Sequence, residues 1–217
     1  MPLRVTLIAM ALLCAATGLA QQAAPSAKPA EPRLFEFPMA VAQGRRVIAF
    51  EFPIANFKYQ VARNGIGNRT DGDSPAQSLN LHLSKGDYIR SLYYAEYQGD
   101  ALLLIEVTNG AYGAGFIVRV GGALPDIKWK QAIPGVNVGR GLLDDDFAYI
   151  TAKGFVAKVN LRSGSYAWRH EDLEHGSTFE AFDPPGLDGN KVWFPARGGG
   201  RKTAVTVEKQ TGRVLSP

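Results

Sequence analysis

From Ala101 onward the chain sets short apolar runs between clusters of Gly, Asn, Asp and Pro. The runs are "ALLLIEV" (101–107), "GFIVRV" (115–120), "FAYIT" (147–151), "GFVAKVN" (154–160), "KVWFPA" (191–196) and "TAVTVE" (203–208). They are rich in β-branched and aromatic residues, which suit a pleated surface, and they are separated by residues that suit tight turns. Beyond the N-terminal segment no stretch keeps the apolar period of an amphipathic helix, and "HEDLEH" at 170–175 is too short to form one. The pattern predicts an all-β protein.

Three stretches also superimpose. "GDALLLIEVTNGAYGAGFIVRVGGALPDIKW", "DDFAYITAKGFVAKVNLRSGSYAW" and "GNKVWFPARGGGRKTAVTVEKQTGRVLS" each run polar turn, apolar strand, Gly-containing loop, second strand ending in Val, further turn. Val120 precedes Trp129 by nine residues and Val159 precedes Trp168 by nine, whereas Val207 precedes Ser216 by nine, so the third copy lacks the Trp. Gly164 and Gly212 each fall five residues after that Val. The copies are spaced 39 and 48 residues apart, the period of propeller blades. Glycine supplies positive φ in the turn, alternating apolar residues fill the space between packed sheets, and a Trp on an outer strand covers the edge of the neighbouring blade. Trp129, Gly164, Trp168 and Gly212 are therefore expected to be elements of the structural repeat.

The stretch "AYITAKGFVAKVNLRSGSYAWRHED", with Ser163-Gly164 followed by Trp168, resembles the repeat of the PQQ-like β-propellers, and Thr211-Gly212 begins the same ending again. The resemblance covers roughly residues 90–217. It implies a small propeller of about four blades or an incomplete ring, with residues 34–89 as one degenerate blade and a twisted antiparallel sandwich as the alternative. Quinone-dependent enzymes with this repeat use calcium ligands and often neighbouring cysteines. The mature chain has no cysteine and no evident quinone site, and no cofactor or metal is expected. The repeat is also similar to that of an outer-membrane assembly lipoprotein.

The N-terminus changes the picture of location. Arg4, an apolar stretch from Val5 to about Ala16 and Gly18-Leu19-Ala20 read as a signal peptide over 1–20. Leu13 is too bulky to make Cys14 a lipidation site. Removing this segment leaves 197 residues with no cysteine, enough for one domain whose stability rests on its apolar core. "QQAAPSAKPAEPR" (21–33) reads as an Ala/Pro-rich tether, and a single domain is expected over 34–217. The protein is expected to be periplasmic or secreted, without an integral membrane segment in its mature form.

Charge is uneven: residues 141–190 hold four basic and nine acidic groups, and residues 191–217 hold six and one. Export and the lack of any nucleic-acid-binding motif argue against a nucleic-acid partner. "RGGGRK" at 197–202 offers Arg197, Arg201 and Lys202 as a basic hairpin loop that an anion or an acidic partner would contact. His170 and His175 are five apart, and although His170 with Glu174 would be the feasible metal pair on a helix, the segment reads as a solvated connector. The "DDD" at 144–146 and the "DGD" at 71–73 read as polar turns. His82, set among leucines, is expected to face solvent from a strand. No nucleophile elbow or phosphate loop appears, and catalytic residues are unassigned. The reading is an exported envelope binding or scaffold protein without catalytic activity, its partner an envelope protein or polysaccharide. The alternative is a small periplasmic hydrolase or lyase acting on glycan or peptide in a central funnel. The last strand is expected to be incomplete, with residues 34–37 closing the ring against Thr203–Val207.

Overall fold

The computed structural model describes residues 31–72, 75–110, 112–171, 173, 182–196 and 204–216. It is all-β, and among the described residues there is no helix. Four antiparallel sheets follow one another along the chain, each a meander in which successive strands are neighbours. The first holds β2 (Met39–Gln43), β3 (Arg46–Ile54), β4 (Phe57–Ala62), β5 (Ile66–Thr70) and β6 (Gln77–Asn80). The second holds β7 (Tyr88–Tyr97), β8 (Asp100–Thr108), β9 (Gly113–Val120) and β10 (Ile127–Ile133). The third holds β11 (Leu142–Asp144), β12 (Phe147–Ala152), β13 (Phe155–Asn160) and β14 (Tyr166–His170), and the fourth β15 (Gly186–Asp188), β16 (Lys191–Pro195), β17 (Ala204–Glu208) and β18 (Val214–Ser216). A further strand, β1 (Arg33–Leu34), adds to β11.

Sheet packing explains the hydrophobic pattern. In β8, Ala101 to Val107 are all buried, because this strand has a sheet on each side. Leu102 and Leu104 enter the core shared with the third sheet, and Leu103 and Ile105 enter the core shared with the first. A continuous apolar run is what such a strand requires. By contrast, β4 alternates: Tyr59 and Val61 are buried while Lys58 and Gln60 face water, since only one face of the first sheet is covered. The β7–β8 turn has Gln98 at φ 54° and Gly99 at φ 77°, the paired positive φ of a two-residue hairpin that follows the strand twist.

Three cores join successive sheets: first to second, second to third, third to fourth. Among the described residues no core cluster joins the fourth sheet to the first. The result is a propeller-like arc of four blades.

Residues 34–89, expected to form one degenerate blade, contain a complete five-stranded sheet as well as the strap described below and the start of β7. The polar strands β5 and β6 hide it in the sequence, because their inward face is made by Gly67, Arg69, Gln77 and Leu79, of which only Leu79 is a large apolar residue. Two further expectations are corrected. The last blade is complete, since β18 pairs with β17 through Thr206↔Ser216 and Val207↔Val214. Residues 33–34 pair with Leu142 and Leu143 of the third sheet and not with Ala204–Val207, the described part of the expected partner strand. With β18 on the outer edge of β17, residues 33–36 add instead to the inner edges of β11 and β7.

Candidate functional site

The joints between blades are built by one device used twice. At the second joint the Trp129 ring lies over Gly164, where a Cβ would approach the indole to 2.6 Å, and its Nε1 donates to Leu161 O at 3.1 Å. At the third joint Trp168 lies over Gly212, again 2.6 Å from a would-be Cβ, and its Nε1 donates to Lys209 O at 3.2 Å. Glycine is needed at both turns for two reasons: φ is positive, 75° and 77°, and the next blade's turn must admit an aromatic ring. At the corresponding position the fourth blade has Ser216 in place of a Trp.

Each joint also carries a cation from the residue preceding the repeat's Val. Arg119 donates to Leu161 O at 3.0 Å and pairs with Asp100 at 2.6 Å. Lys158 donates to Lys209 O at 3.0 Å, and Lys209 returns an ion pair to Asp144 at 2.7 Å. Burial alone would raise the Asp100 carboxyl, but hydrogen bonds from Lys128, Gly122 N and Arg119 outweigh it and hold it below the usual carboxylate range. Burial pushes the Lys158 ammonium down, helped by Lys209 and opposed by Asp144. The first joint uses a different residue: buried Arg69 bonds Gly122 O and stacks over Phe57 at 4.1 Å. Sequence reasoning missed this site, and the Gly121-Gly122 pair opposite it was the available signal.

Residues 33–37 form a strap along the axis. Phe35 N donates to Gly141 O at 2.9 Å, and Glu36 exchanges main-chain bonds of 2.7 and 3.0 Å with Tyr94. The Tyr94 hydroxyl donates to Glu36 Oε2 at 2.8 Å, and Phe35 is fully buried in the second core. Inner strands β7 and β11 are thereby stapled to one another.

Where the strap emerges, a cavity of about 390 Å³ opens between the second, third and fourth blades. Phe37, Tyr93, Val138 and Phe182 supply its apolar wall, and Arg90, Glu106 and Arg140 its charge. Glu106 is buried and saturated: Asn137 N donates at 3.0 Å, and Arg90 and Ser91 both donate at 3.3 Å. Arg140 donates its Nε to Phe35 O and lies over the Phe37 ring at 4.8 Å. A larger cleft of about 840 Å³ lies between the third and fourth blades, lined by Asp144–Asp146, Phe147, Lys158 and Lys209. Its acids diverge to separate partners: Asp144 to Lys209, and Asp146 to Arg162 at 2.7 Å and the Tyr97 hydroxyl at 2.5 Å.

The residues singled out in the sequence fall as follows. Trp129 with Gly164 and Trp168 with Gly212 meet at the joints, whereas Arg197, Arg201 and Lys202 lie outside the described residues, as do Glu174, His175 and Asp73. His170 is engaged by Gly212 O at 2.6 Å. Asp71 lies 3.1 Å from Arg69. His82 is exposed, but it sits at φ 49° beyond the end of β6 and not within a strand, because Asn80 turns the chain by accepting the His82 N–H. Among the described residues no three metal-ligating side chains converge, and no helix is long and apolar enough to cross a membrane.

No protein-family model matches the chain, and no curated protein does. Among solved structures, the computationally designed Ika8 protein aligns at 18% identity with a TM-score of 0.49, over 76% of this chain and 47% of the designed one. The chain thus spans about half the length of that protein. BamB from Moraxella catarrhalis aligns at 14% identity with a TM-score of 0.38, over 85% of this chain and 67% of BamB.

Proposed function

We propose that the protein is an exported, non-catalytic binding or scaffold protein of the bacterial cell envelope, built on a PQQ-like propeller repeat. One observation carries this reading: the buried ionisable groups are engaged in holding the blades in place. Asp144 and Lys158 bind across the third joint, Asp100 holds the Arg119 that reaches Leu161 O across the second, and Glu106 is closed off by three donors. A rigid arc with such joints suits presentation of loops and pockets to a partner, an envelope protein or polysaccharide in the periplasm or outside the cell.

The basic segment containing Arg197, Arg201 and Lys202 is the proposed partner contact. Replacing all three by Ser leaves folding intact and weakens capture of an envelope partner, as read by pull-down from envelope extracts at low and high salt. A wild-type protein that enriches no partner would overturn the reading, and equal capture by both proteins would remove the segment from it.

The reading includes no structural metal. The purified protein is expected to melt at the same temperature, within about 1–2 °C, with and without a strong chelator. A drop of many degrees would instead reveal a bound ion that stabilises the native state.

A further inference from the structure

We propose that the axial cavity beside the strap binds the C-terminal carboxylate of a peptide whose last residue is apolar. The inference rests on the binding reading above and names the ligand chemistry of one site. Arg140 is the reason for a carboxylate. Its Nε is fixed by Phe35 O and its plane by the Phe37 ring, so the guanidinium is held without a carboxylate of its own: it forms no ion pair with a described residue. Its two Nη groups remain for a ligand, the geometry in which arginine grips a carboxylate with paired hydrogen bonds. Arg90 adds a second positive charge at the rim, with its side chain 58% exposed although Nη1 already reaches Glu106.

The remaining wall selects the rest of the ligand. Phe37 is 65% exposed and is held by an edge-on contact with Tyr93 at 5.3 Å. Val138 and Phe182 continue this apolar surface into the cavity. Two of the neighbouring polar groups are engaged with each other, since Glu106 accepts three donors and Ser91 is one of them. A polyhydroxylated ring would find few groups to bond its hydroxyls, whereas an apolar side chain beside a carboxylate finds both partners it needs. A volume of about 390 Å³ lies within the range of small-ligand sites and suits the last two or three residues of a chain. Capture of a terminal carboxylate is an established mode of peptide recognition.

The test uses the full mature protein and three probes: N-acetyl-Ala-Val-Leu with a free carboxylate, the same peptide as its C-terminal amide, and glucuronate. Titration by calorimetry is expected to show the acid binding at least 10-fold more tightly than the amide, with glucuronate weaker than either. Arg140→Gln, checked for an unchanged melting temperature, should bring the acid down to the affinity of the amide and leave the amide unchanged. Should that variant unfold, the amide and main-chain NMR shifts of Tyr93 and Arg140 in the wild-type protein report whether the acid enters this cavity. Equal affinity for acid and amide, shifts confined to other residues, tighter binding of glucuronate, or no saturable binding at millimolar concentration would each overturn the proposal. Partner capture through residues 197–202 would survive such a failure, which separates this site from the broader reading.

Discussion

Trp168→Ala is expected to destabilise the protein by about 3–5 kcal/mol, the range for removing a large aromatic side chain from a packed site. The ring is 9% exposed and packs in the third core, with Phe194 edge-on at 6.2 Å and Tyr149 at 6.1 Å. Truncation also removes one of the two donors on Lys209 O, so the loss combines cavity and hydrogen bond. Denaturant titration measures it. A change below about 0.5 kcal/mol, the range of an ordinary surface substitution, would mean that the ring does not hold the joint. Gly212→Ala gives the complementary result. Its φ of 77° costs an L-residue about 1–2 kcal/mol, and the new methyl would press into the indole. Placed on the Trp168→Ala background, the same change should cost only the backbone part. Strict additivity of the two substitutions would show that ring and turn are not in contact.

This pair also shows why part of the fold could be read from the sequence. A Trp nine residues after a Val, and a Gly five residues after the next blade's Val, are spacings fixed by one contact repeated around an arc. Local pattern therefore carries long-range information at Trp129 and Trp168. The first joint breaks the rule. Arg69 does there by hydrogen bonding and stacking what the indole does elsewhere, and an arginine in a polar strand looks like a solvated one until the sheet is assembled. The axial cavity was illegible for a related reason. Phe37, Arg90, Glu106, Arg140 and Phe182 come from five separated stretches, and no spacing along the chain links them. The strap was seen as a strand that must find an edge, but the choice of edge depended on whether "VLS" at 214–216 formed a strand. Three residues are too few for pattern to decide.

Removing residues 21–37 is expected to destabilise the domain more than any single substitution in it, whereas removing 21–32 should leave its stability nearly unchanged. The longer deletion takes away Phe35, a fully buried ring whose loss alone is expected to cost about 3–5 kcal/mol. It also removes the main-chain bonds to Gly141 and Tyr94, leaving the inner edges of β7 and β11 open. Open edges in an apolar setting invite pairing with other chains, so aggregation on mild heating is expected alongside the lower midpoint. Hydrogen exchange adds a local readout, because the Tyr94 amide is held by Glu36 O in the intact protein and should exchange fast only in the longer deletion. Adding a synthetic peptide of residues 31–39 in trans should restore both the midpoint and the protection, since the strap meets its groove as a separate strand would. An unchanged midpoint after the longer deletion would show that the blades hold their arrangement without the strap. Recovery of stability without recovery of Tyr94 protection would show that the peptide acts elsewhere than between β7 and β11.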